Sequence, residues 1–61
     1  MNYEELAKRT ILVLEKTKKY INFFAEERKT LDNFLRNANN FEEWENYLIK
    51  VEEKMNEYRI K

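Results

Sequence analysis

The sequence predicts an all-α protein, and three observations carry that expectation. The 61 residues contain no glycine and no proline. Tight β-hairpin turns rely on Asn-Gly, Asp-Gly or similar pairs, whereas helix interiors disfavour both missing residues. Apolar residues recur at three- and four-residue intervals along most of the chain, the spacing of a helix face. Asparagines cluster at one place, residues 37–40, where a helix end and a helix start meet.

The last helix is the most sharply written. Phe41, Trp44, Leu48, Val51, Met55 and Tyr58 follow a 3-4-3-4-3 spacing, a narrow stripe of the coiled-coil type. Asn40 stands at the N-cap, and Glu43 three residues later resembles the glutamate of a capping box. Glu42 and Glu43 lie where the helix dipole favours negative charge. A helix over about 41–59 follows. Asn39 is expected to take the left-handed conformation that ends the preceding helix.

The preceding segment keeps the same spacing through Tyr3, Leu6, Thr10, Val13, Thr17, Tyr20, Phe24, Glu27, Leu31, Phe34 and Ala38. A further column, Ala7, Leu14, Ile21, Arg28 and Leu35, widens this face enough to contact two neighbours. Its apolar run is interrupted at Glu27 and Arg28, and Thr30 offers an N-cap with Asp32 behind it. The leading expectation is one helix over about 2–38, with a candidate break near 28–30. At 1.5 Å per residue that helix is a rod of about 55 Å, only half covered by the last helix. The predicted architecture is thus an antiparallel helical hairpin within a single domain, 1–61, that self-associates into a helical bundle. The alternative is a monomeric three-helix bundle with the break realised.

Size argues in the same direction. A chain this short buries only about 60% of its unfolded surface and is marginal by itself. It has no cysteine for a disulfide and no histidine. Self-association or docking on a partner remains.

Charge is balanced, with twelve basic and twelve acidic residues. Residues 1–38 hold eight basic and six acidic groups, and residues 39–61 four and six. This +2 against −2 favours antiparallel docking of the halves. Glu4→Lys8, Glu5→Arg9, Glu15→Lys19 and Glu57→Lys61 have the acid-before-base order that supports a helix. No net field recruits nucleic acid or an anionic membrane. The longest apolar run, Ile11–Leu14, is far short of a membrane span, and the expected location is cytoplasmic. Eight asparagines and eight lysines against three alanines suggest an AT-rich genome, bacterial or phage.

Chemistry is sparse. Without His or Cys, the commonest general base and the strongest nucleophile are missing. No phosphate-cradling or metal-binding motif occurs, and the paired glutamates read as solvated helix surface. Glu27 is the exception, on the apolar face, where pairing with Arg28 or with a basic group across an interface is expected. We therefore expect no catalytic residues, no metal, no cofactor and no small-molecule substrate. The expected function is that of a non-enzymatic protein–protein interaction module, a regulator, inhibitor or assembly subunit acting through an amphipathic helix face. Its partner is a second copy, another protein, or both. The candidate interface residues are Ile11, Leu12, Phe23, Trp44, Tyr47 and Ile49, with Trp and Tyr favoured as anchors. The alternative is a dimeric nucleic-acid binder using Lys8, Arg9, Lys16 and Lys19 to neutralise phosphates.

Overall fold

Asparagine starts two of the three helices. In the computed structural model, which describes residues 2–60, α1 spans Tyr3–Lys16, α2 spans Ala25–Arg36 and α3 spans Phe41–Glu57. The Asn2 side chain accepts a hydrogen bond from the Glu5 backbone N–H at 2.9 Å, and Asn40 does the same for Glu43 at 3.1 Å. The Asn40 amide also donates to the Glu43 carboxylate at 3.0 Å. The capping box is thus closed by side chain on side chain, because asparagine carries both an acceptor and a donor.

The expected 2–38 rod is not formed. The chain breaks at residues 17–24, around a short 3-10 turn, Lys18–Tyr20. Thr30 and Asp32 lie inside α2, and the candidate break at 28–30 is helical. Two causes favour the earlier break. Residues 17–24 are threonine, isoleucine, asparagine and three aromatics apart from two lysines, a run of modest helix propensity. The Thr17 hydroxyl also donates to the Val13 carbonyl at 2.8 Å. From α2, the Arg28 guanidinium donates to the Leu14 carbonyl and, at 2.8 Å, to the Thr17 hydroxyl. Carbonyls at a helix C-terminus need such donors, and here they come from the next helix.

The corner at 37–40 also differs in detail. Asn39 does not adopt a left-handed conformation; Arg59 alone among the described residues has positive φ, at 56°. Instead α2 ends on Asn37 at φ −127°, ψ 69°, and the Asn39 N–H bonds the Asn37 carbonyl at 2.8 Å. The left-handed cap belongs to α3. The Arg59 N–H reaches the Asn56 carbonyl and the Ile60 N–H reaches the Met55 carbonyl, a Schellman motif with its apolar Ile60 beside Met55.

Contacts fix the helix directions. Phe34 pairs with Trp44 near one end of the bundle and Glu27 with Lys54 near the other, so α2 and α3 are antiparallel. Tyr3 lies near Phe41, and Arg9 bonds Glu52 further along both helices, so α1 runs parallel to α3. The result is an up-down-up three-helix bundle. Its radius of gyration is 10.7 Å, against about 10.5 Å expected for a compact domain of this length. The longest dimension is 28 Å, half that of the expected rod.

The core is a column of Leu6, Val13, Phe24, Leu31, Leu48, Val51 and Met55 around Trp44. Trp44 has no solvent exposure. Phe34 stacks on its ring at 6.0 Å, and Tyr3 meets it edge-on at 5.6 Å. Its indole N–H donates to the Thr10 hydroxyl at 2.9 Å, which satisfies the one polar atom that Trp burial brings inside. Thr10 and Thr17, both fully buried, are therefore functional parts of the core. Among the described residues no helix is long and apolar enough to cross a membrane.

Replacing Thr10 with Val keeps the shape and removes the acceptor. We expect Thr10→Val to lower stability by about 1–3 kcal/mol, the cost of leaving a buried donor unpaired. Urea unfolding followed by Trp44 fluorescence measures this directly, because the chain has one tryptophan.

Candidate protein interface

The structure separates the six residues that the sequence grouped. Trp44 leaves the set altogether: the spacing that placed it on the core stripe is correct, and a side chain enclosed within its own chain cannot anchor a partner. Ile11 and Leu12 are adjacent in sequence but point about 100° apart on a helix. Leu12 borders a groove with Lys16, Glu52, Asn56 and Ile60, between α1 and α3. Ile11 continues the column of Ala7 and Leu14, on the side where Arg28 of α2 reaches α1. Both are exposed, on opposite flanks. Tyr47 is half-buried and lies on the α2–α3 side, its ring 6.2 Å from Phe34. Ile49, exposed, sits three residues before Glu52 on the flank that faces α1.

Phe23 has the most informative surroundings. The residue is 47% exposed although its ring packs edge-on against Phe24 at 5.2 Å and Tyr58 at 4.8 Å. Tyr58 is itself 56% exposed. Lys54 approaches both phenylalanine rings, at 4.4 and 4.7 Å, and donates to the Phe23 carbonyl and the Glu27 carboxylate. The same connection between α1 and α2 exposes Tyr20 and Ile21. The end of the bundle that carries the α1 C-terminus and the α2 N-terminus is thus aromatic and open. Spacing alone places Tyr20 and Tyr58 on core stripes, and both are exposed. Tyr20 falls in the break and Tyr58 beyond the end of α3, where a stripe no longer has a facing helix.

Glu27 behaves as expected of a carboxylate on the apolar face. Its partner is Lys54, at 2.9 Å across the α2–α3 interface, not Arg28. Burial pushes the Glu27 carboxyl up, but hydrogen bonds from Lys54 and from its own backbone N–H, together with the lysine charge, outweigh it. The group is held below its ordinary value.

The basic residues are dispersed. Lys8 pairs with Glu4 at 3.5 Å in the predicted i,i+4 manner. Arg9 forms a two-pronged pair with Glu52 of α3, and the expected Glu5 also acts on it through its charge. The hydrogen bond to Glu52, more than any other influence, raises the guanidinium further above its ordinary value. Lys16 lies in the α1–α3 groove. Lys19 is beyond the end of α1, so its helical pairing with Glu15 is lost. Lys61, the partner expected for Glu57, lies outside the described residues. Arg9 and Lys16 thus lie on the α1–α3 side, Lys8 on the exposed side of α1 and Lys19 in the connection to α2.

The lowered Glu27 value makes a pH prediction. A carboxyl depressed in the folded state contributes stability above its unfolded value, about 4.3, and loses it as pH falls through the folded value. The stability difference between wild type and Glu27→Gln should therefore be largest above about pH 5 and shrink on acidification. Urea midpoints across this range test it, and a difference independent of pH would contradict it.

Comparison with protein-family models, curated proteins and solved structures finds no match.

Proposed function

We propose that this chain is a small non-enzymatic interaction module that acts in the cytoplasm by docking on a protein partner. The observation that carries the reading is the Phe23–Tyr58 pair, two aromatic rings that contact each other and still face solvent at the open end of the bundle. Aromatic side chains of this kind give large contact area with little ordering cost, and they dominate binding energy at interfaces. Lys54 stiffens the site from below, because its bonds to the Phe23 carbonyl and to Glu27 hold the connection against α3. Exposed Tyr20 and Ile21 extend the apolar surface. A partner covering this end removes from water the surface that the three helices leave open.

Self-association belongs to the same proposal, with an altered basis. A rod half uncovered would need a second chain in order to fold. The bundle encloses its own core, so association here is a use of the remaining surface and not a condition of folding. The divergence of Lys8, Arg9, Lys16 and Lys19 favours a protein partner over nucleic acid.

The paired variant Phe23→Ser, Tyr58→Ser changes residues at the rim and should retain the helical circular dichroism of the wild type. Proteins captured from host lysate by the wild type should be absent with the variant. Equal capture by both would overturn the assignment of the surface. Nucleic-acid affinity that falls steeply with salt would overturn the reading itself.

A further inference from the structure

The face opposite α2, where α1 and α3 lie side by side, has a charge order that its apolar residues alone do not reveal. Glu5 and Glu45 both act on Arg9 near the start of the two helices. Lys16 lies one end further along, beside Leu12 and Asn56. Because α1 and α3 are parallel, both positive N-terminal dipole ends fall at the acidic end of this face, and both negative C-terminal ends fall at the lysine end. Between them stands the Arg9–Glu52 pair, two-pronged and closed within the chain. Leu12 and Ile49 flank that pair and are 53% and 40% exposed.

We propose that a second copy of this chain covers this face in an antiparallel, twofold arrangement, α1 against α1 and α3 against α3. The proposal rests on the self-association part of the reading above and names its face and geometry. A copy turned end for end sets Glu5 of each chain opposite Lys16 of the other, and opposes the aligned dipoles of the two helix pairs. A copy docked with its helices parallel would lay α1 on α3 and stack Glu5 of each chain against Glu45 of the other. The midpoint between Glu5 and Lys16 falls between Thr10 and Ile11 along α1. Leu12 and Ile49 therefore lie close to the axis, each near its own symmetry mate. The Arg9–Glu52 pair has its charges already matched and can be covered without stranding either one. The same patch is used on both copies, so the contact closes at two chains and does not propagate into a filament.

Sedimentation of the full chain from micromolar to millimolar concentration tests the proposal. We expect a dimer in the wild type, weakened on the order of tenfold or more by Lys16→Glu, which places like charges opposite each other. Adding Glu5→Lys to Lys16→Glu should restore the dimer, with circular dichroism unchanged throughout. Leu12→Gln should weaken it without altering charge. A wild type that stays monomeric to millimolar concentration would overturn the proposal, as would a dimer indifferent to Lys16→Glu and Leu12→Gln. A dimer abolished only by Phe23→Ser, Tyr58→Ser would also overturn it, and would move self-association to the aromatic end while leaving the interaction reading intact.

Discussion

The fold depends on the reach of Arg28 back to the end of α1. Where a helix stops, its last carbonyls need donors, and water is the default supplier. In this chain the guanidinium bonds the Leu14 carbonyl and the Thr17 hydroxyl, so the stop occurs at a partly buried site without leaving polar atoms orphaned. Among the described residues, no buried side-chain nitrogen or oxygen lacks a partner. Stopping α1 at Lys16 lets α2 fold back on it. Only with that return can Phe24 and Leu31 join Leu6, Trp44 and Leu48 in one core. The accessible surface, 4616 Å², is close to the roughly 4,300 Å² of a compact monomer of this mass.

The same fold-back explains why the polar residues of the core are threonines. Thr17 hydrogen-bonds both its own helix and Arg28, and Thr10 accepts from the indole of Trp44. Each hydroxyl can donate and accept within a small volume, and each sits where an apolar residue would leave a buried partner unmatched. Closing the core also determines what is left outside. Tyr20, Ile21 and Phe23 are displaced to the bundle end by the break, and Tyr58 joins them because α3 outlasts its neighbours there. The parallel alignment of α1 and α3 leaves Leu12 and Ile49 on a second face.

Local signals were legible and long-range ones were not. The caps at Asn40 and Glu43, the stripe from Trp44 to Met55, and the core placement of Thr10 and Thr17 follow from spacing and side-chain chemistry within a turn or two. The position of the break does not. Thr30 and Asp32 have the form of a helix start, but they lie in a segment where nothing needs a new cap. The break at 17–24 is stabilised by Arg28, whose acceptors lie eleven and fourteen residues earlier, beyond the reach of periodicity. For the same reason Trp44 looked like both core and hot spot. Its spacing pointed inward, and only the hydrogen bond to Thr10, thirty-four residues away, settles that the indole is satisfied there. The candidate interface residues scatter because spacing orders side chains around one helix only, and which flank is covered depends on where the neighbouring helices lie.

That a single chain encloses its own core by stopping α1 before Arg28 is the claim on which the functional reading stands. Backbone chemical shifts of residues 14–30 in solution test it most directly. Helical shifts should lapse between Thr17 and Phe24 and resume without interruption through Glu27, Arg28 and Thr30. Helical shifts running unbroken from Leu14 to Leu31 would show a continuous rod, and would contradict the bundle together with the surfaces derived from it.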